Sequence, residues 1–366
     1  MLKVGIYVDY KHNDTTLAAV MLANWMLRLG NSVKVISNGP VARNVDCYWD
    51  DCVIRDSNKS LKLYENLTHA FWFYPDRLTF LTAKSVGENT ERASELDSHI
   101  ENLGKTSTLN HVYFPGWCSK EVLFGELLLN SKAICLNRDS ALWLSSKCKD
   151  FEVDRNWSTL CSADKLLVPK QGKVDKDKVK MLVLLGSDFS QDIGNELIST
   201  FEALLKKHET FKVTFLLEKS LPKVHKSRLN QLKLSFKDRV VLAGVMPYSQ
   251  YHAMAYLHDW VYLACASFKH GALIPHLAVS GTPLICHDIP PARSYISGGL
   301  SGMLVPTVVA NTFNPRGIVC FKALATTLSQ AINMNDLGLK GLQKNTYSNH
   351  KKQAQEFARF LSQELS

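Results

Sequence analysis

The chain has 366 residues, 46% of them hydrophobic, enough for two domains of ordinary size with a core in each. No apolar run is long enough to span a bilayer, and the 9 cysteines lack CxxC or CxxxH spacing, which argues against a disulfide framework or a zinc site. The formal charge of +9 predicts attraction to nucleic acid, anionic lipid or nucleotide without choosing among them.

The segment from Met1 to Asp9 reads as a first strand at residues 2–8 and not as a signal peptide. With reduced thiols, this makes the cytoplasm the expected setting, or a host's cytoplasm if the chain is viral. A polar loop, Asp9 to Asp14, leads into a helix from Thr15 to Leu29, capped by Asn13 or Asp14 and stopped by Gly30. Val33 to Ser37 is the second strand, completing a βαβ opening that lacks the GxGxxG fingerprint of dinucleotide enzymes. Leu67 to Tyr74 is a further strand, ending at Pro75-Asp76-Arg77. Ligands of open parallel sheets gather beyond the carboxyl ends of strands, where Asp76 lies beside Trp72, Phe73 and Tyr74. A carboxylate against aromatic rings can accept a proton; a turn residue paired with Arg77 is the ordinary alternative. Strands at His111–Pro115 and Ala133–Leu136 follow, with helices running on to Leu129 and from Asn137 to Lys147.

Composition shifts at Lys165–Lys180, which carries 6 lysines with one proline and one glycine, so residues 165–178 read as the crossing between domains. Met181–Leu185 opens the second domain and ends at Gly186-Ser187-Asp188. Lys212–Leu217 is a strand followed by Lys219, and Arg239–Leu242 leads into Gly244-Val245-Met246-Pro247-Tyr248. Between Lys206 and Arg239 there are 10 Lys or Arg residues against 3 acidic ones. That is either a solvated helix surface or a phosphate-backbone track including Lys223, Lys226 and Arg228. Val261–Ala266 is a strand, Ala272–Ser280 a helix stopped by Gly281-Thr282-Pro283, and Leu284–Cys286 a strand ending at His287-Asp288. The turn between the first two, Lys269-His270-Gly271, permits close backbone approach, and N–H groups at the helix start favour an anion such as a diphosphate. An ordinary β–α turn relieved by glycine is the other reading. Asn345–Leu365 closes the chain as a helix.

Gly271-Ala272-Leu273, Ser280-Gly281-Thr282-Pro283, Asp288-Ile289-Pro290-Pro291 and Gly302-Met303-Leu304-Val305-Pro306 resemble the C-terminal half of GT-B glycosyltransferases. The resemblance is to the glycogen-synthase-like branch (group 1, family 4) of retaining enzymes, over about Met181 to Pro306. That branch carries two glutamates spaced by seven residues around the turn; here those positions hold Phe268 and His276. It also has an Arg and a Lys after the strand that ends at Gly186, which the loop Asp188–Asp192 lacks, so Lys219 becomes the substitute.

The resemblance implies an α/β GT-B fold of two Rossmann-like domains facing across a cleft. Residues 1–165 would bind the acceptor and 166–345 the nucleotide sugar, with 346–366 crossing back to the first domain. The donor, most simply a UDP-sugar, would be held by Gly186, Ser187, Lys219, Met246, Lys269, His270, Gly271, Ala272, Leu273 and His276. His270 would aid the departing diphosphate, and His276 would face the ribose or pack in the core. If the enzyme inverts, Asp76 or Asp14 would activate the acceptor hydroxyl, with Asp9, His12, Trp72 and Tyr74 nearby and no metal needed. The leading acceptor is a hydroxymethylated pyrimidine base in DNA, as in bacteriophage DNA glucosyltransferases. A lipid-linked or cell-surface glycan, and a catalytically degenerate GT-B binding protein, are the alternatives.

Overall fold

A computed structural model describes residues 1–8, 13–37, 53–56, 68–73, 109–114, 132–135, 170, 172–175, 177–186, 191–217, 221–265, 272–296, 299–309 and 317–364, with a few positions between 138 and 161. The chain forms two compact units, Met1–Ala163 with Gln353–Ser366, and Asp164–Lys352.

The first unit holds a parallel sheet built from β1 (Lys3–Val8), β2 (Ser32–Ser37), β3 (Val53–Asp56), β4 (His69–Phe73), β5 (Leu109–Phe114) and β6 (Lys132–Cys135). Its order is β3-β2-β1-β4-β5-β6. Val4 and Ile6 are wholly buried in β1, and helix α1 (Asn13–Arg28) covers the sheet with Leu17 to Ala23 and Met26. Gly30, at φ +79°, ends that helix: its N–H reaches the Leu27 carbonyl at 2.9 Å and Asn31 reaches Met26 at 3.0 Å. This is the Schellman arrangement that glycine permits without steric cost.

The second unit repeats the plan with β7 (Val179–Leu185), β8 (Phe211–Leu217), β9 (Val240–Val245), β10 (Trp260–Ala264), β11 (Leu284–His287) and β12 (Gly302–Val305). All its pairs are parallel and the order is β12-β11-β10-β7-β8-β9. Helices α2 (Gln191–Lys207), α3 (Lys223–Phe236), α4 (Tyr251–Tyr256), α5 (Leu273–Ala278), α6 (Pro290–Tyr295) and α7 (Phe321–Asn333) accompany it. A small antiparallel pair, β13 (Thr307–Val309) with β14 (Gly317–Val319), precedes α7. The core gathers Met181, Val183, Phe201, Phe211, Phe215, Trp260 and Tyr262, with the Phe201 ring edge-on to Phe215 at 5.3 Å.

The described residues of the lysine-rich segment are fastened within the second unit. The buried Asp259 carboxylate accepts the N–H groups of Val174 at 2.7 Å and Lys180 at 2.8 Å. Gly172 exchanges two hydrogen bonds with the Gln343 amide, at 3.0 and 3.1 Å. The Lys170 ammonium donates to the carbonyls of Ala255, in the last turn of α4, and of His258 just beyond it. These partners are distant in sequence, so composition alone could not reveal them.

The closing helix, α8 (Asp336–Glu364), also begins well before the expected Asn345. Asn335 caps it, its Oδ1 accepting the Gly338 N–H at 2.8 Å, and this cap outweighs the poor helix propensity of Gly338 and Gly341. In the second unit the expected strand Val261–Ala266 runs Trp260–Ala264, and the expected helix Ala272–Ser280 runs Leu273–Ala278. Gly281 stops the chain's helical course at φ +68°.

Candidate functional site

The strand orders define where ligands can gather. In the second unit β7 stands at the centre, with β8 and β9 to one side and β10, β11 and β12 to the other. Connections therefore depart in opposite directions from β7 and β10, leaving a crevice outside their carboxyl ends, the usual binding place in such sheets. The buried Gly186 follows β7, and the buried Cys265 follows β10. Ser187 follows Gly186 in the chain, and Lys269, His270 and Gly271 lie between Cys265 and Ala272; all four are outside the described residues, as is Lys219.

Beyond the turn, Ala272 and Leu273 are buried. The His276 N–H donates to the Ala272 carbonyl at 3.3 Å at the start of this helix. The parallel position after β11 is chemically different. There α6 begins with Pro290-Pro291, which have no N–H to offer an anion.

His276 is 1% exposed and braces this helix against the loop after β9. Its Nε2–H donates to the Tyr248 carbonyl at 2.6 Å, and the His252 ring stands edge-on to it at 5.8 Å. Tyr248 is itself buried against Tyr251, ring to edge at 4.9 Å. Gly244, at φ +72°, lies in β9 where its register with β8 shifts, and Met246 is half-buried on the loop that follows.

Behind the crevice lies a chain of neutral polar groups. Thr307 Oγ1 donates to the Val305 carbonyl at 2.8 Å and so accepts from His287 Nδ1–H at 3.1 Å. His287 Nε2 is then the acceptor for the Tyr262 hydroxyl at 2.9 Å. Burial pulls the His287 imidazole down to about 4 and pushes the Tyr262 hydroxyl well up, so neither ionises near neutral pH. Asp288, next along the chain, is held by Arg293 Nε at 2.6 Å. His258 is also pulled down to about 4 by burial, with Nδ1–H on the Met254 carbonyl at 2.7 Å and Nε2 accepting from Thr214 at 2.8 Å. Sequence reading singled out neither Tyr262 nor His258, since nothing local distinguishes a core tyrosine or histidine from a functional one.

The first unit has its own reversal of strand order, between β1 and β4. Asp9 and His12 follow Val8, and Tyr74 and Asp76 follow Phe73; all four lie outside the described residues. Trp72 occupies β4 opposite Tyr7 of β1, and Asp14 sits in the first turn of α1.

The basic segment divides into two groups. Arg239 donates to the carbonyls of Leu205, His208 and Glu209 at the end of α2, and Lys206 pairs with Glu202 at 2.7 Å. Arg228 is bound by the Asn195 carbonyl and side chain and by Ser199. Lys223 and Lys226 are exposed and make no ion pair among the described residues. No group of three or more His, Cys, Asp or Glu side chains is placed to hold a metal among the described residues.

Solved structures share this architecture along the whole chain. An S. aureus TarM variant, in complex with fondaparinux, alpha-GlcNAc-glycerol and UDP, superposes with a TM-score of 0.64 at 10% identity, covering 98% of this chain and 99% of that one. Anabaena Alr3699/HepE in complex with UDP-glucose gives 0.62 at 12% identity, covering 99% and 100%. The fold is GT-B. A putative UDP-N-acetylglucosamine 2-epimerase from Listeria monocytogenes gives 0.59 at 9% identity, covering 97% and 94%, so the architecture alone does not choose a reaction. No protein-family model matches the sequence, and no curated protein matches it.

Proposed function

We propose that this chain is a glycosyltransferase using a UDP-sugar donor. The observation that carries the proposal is the strand order of the second unit, which sets the loops after β7 and β10 on either side of its crevice. The UDP and UDP-glucose bound by the similar structures support the donor class.

In this reading Lys269, His270, Lys219 and the amides of Gly271–Leu273 receive the diphosphate, with Gly186, Ser187, Met246 and His276 completing the donor side. Residues 1–165 present the acceptor, 166–345 hold the donor and 346–366 return to the first domain. An acceptor hydroxyl attacks the anomeric carbon as its bond to the phosphate oxygen breaks. UDP leaves with the bonding pair, and Asp76 or Asp14 takes the hydroxyl proton.

The acceptor we infer is a glycan, supported by the glycan-type ligands of the TarM complex. A hydroxymethylated pyrimidine in DNA keeps one specific support, Lys223 and Lys226, which are exposed and make no ion pair among the described residues. Arg228, the third cation of that reading, is already engaged by α2.

The test is donor binding followed by product analysis. Gly271→Asp is expected to abolish calorimetric binding of UDP-glucose, because its carboxylate would stand where the diphosphate belongs. Unchanged affinity in a folded variant would remove this turn from the site. Acceptor-dependent release of UDP identifies a transferase. An epimerised sugar without acceptor would identify the other chemistry of this fold, and binding without turnover a degenerate binding protein.

A further inference from the structure

Helix α3 and strand β9 form one edge of the second unit, and β9 is the last strand of its sheet. The helix buries His225, Leu229 and Leu232 and contains no acidic residue. At 3.6 residues per turn Lys233, Lys226, Asn230, Lys223 and Leu234 form one arc of about 100° that runs from the flank of the buried stripe to the side opposite it, and all five are exposed. Lys237, just past its end, is exposed too, and none of the four lysines makes an ion pair among the described residues. At the border of this face, one residue from Lys233 and one turn from Lys237, stands Leu234, 77% exposed, and β9 adds the exposed Val241 and Val245.

From this we propose that the α3 edge is a docking surface for an anionic lipid bilayer. Four unpaired lysines complement a negatively charged headgroup layer, and each gains from the surface potential without needing a fixed partner. Leu234 settles the choice of partner. A leucine held out among lysines gains nothing from a phosphodiester backbone, but it can enter the headgroup–acyl boundary as interfacial helices do. Lys233 and Lys237 lie at the end of α3 that leads back to the start of β9, at the amino ends of the strands. The basic face thus runs away from the crevice and suits anchoring of the molecule more than presentation of an acceptor base.

The experiment is sedimentation of the full chain with phosphatidylcholine vesicles and with vesicles that also carry phosphatidylglycerol. Binding to the anionic vesicles alone, weakening with salt, is expected. Each lysine is worth roughly fivefold, so Lys223→Gln with Lys226→Gln and Lys233→Gln should lower the partition by about a hundredfold. Leu234→Ser, at an exposed position, should lower it by about fivefold or more while leaving the melting temperature unchanged. Equal binding to neutral vesicles, or full binding by the triple variant, would overturn the proposal. So would absence of vesicle binding together with duplex DNA binding that Leu234→Ser leaves intact. No sugar nucleotide enters this assay, so its failure and that of the transferase reading are distinguishable.

Discussion

At the residue scale, His276 shows how a position can be found in the sequence while its role stays hidden. The resemblance singles it out because it stands where a glutamate is usual, and the expectation left it between the ribose and the core. Its Nε2–H reaches the Tyr248 carbonyl, 28 positions earlier in the chain, a partner that local spacing does not indicate. The Tyr248 carbonyl also accepts the Tyr251 N–H, so removing the imidazole donor costs the net worth of one hydrogen bond, about 0.5–1.5 kcal/mol. His276→Ala is therefore expected to lower the unfolding midpoint and to raise the donor KM more than it lowers kcat, since the loop at Met246 loses its brace. His276→Gln, which keeps an N–H donor, should recover part of both effects. Kinetics and melts of the two variants check this; a large fall in kcat with unchanged KM would mean direct contact with the reacting groups.

At the scale of elements, the strand–turn–helix–strand unit around Gly271 was legible because short apolar runs, glycine and proline punctuate it within thirty or so residues. Helix α8 was less so, since Gly338 and Gly341 disguise its first turns while the Asn335 cap is a single side chain. Gly302 is a different case: the motif marks it, and the packing supplies the reason. A Cβ there would meet the Leu284 carbonyl oxygen at 2.4 Å and Ile296 Cγ2 at 3.0 Å. Leu284 is its register partner across β11 and β12, so neither backbone can yield without parting the pair. Gly302→Ala should cost about 1–3 kcal/mol or more by overpacking. Gly244→Ala has open space around it and meets only the left-handed φ of +72°, a strain of about 1–2 kcal/mol. Urea unfolding should rank Gly302→Ala below Gly244→Ala, and the reverse ranking would mean that β12 has room to move.

For the whole molecule, the repeated alternation of strand and helix made the α/β class legible. What composition could not show is how firmly Lys170 to Lys180 is fastened within the second unit through Asp259 and Gln343. Buried polar groups of this kind also set how that unit responds to acid. His258 and His287 are each pulled from 6.5 to about 4, burial being the largest cause, and both make hydrogen bonds that suit a neutral ring. A depressed histidine means that the unfolded chain takes up the proton first as pH falls. Its contribution to stability is complete above 6.5 and is lost on acidification through the window down to about 4. At the acid end of that window the loss is about 3 kcal/mol for each ring. His208 and His225 shift in the same direction, also through burial, so they reinforce the trend. The melting temperature should therefore fall steadily as pH drops across this window. A variant with His258→Gln and His287→Gln should melt lower at neutral pH but with a distinctly flatter pH dependence. Parallel curves for the two proteins would show that other groups, carboxylates above all, govern the acid response.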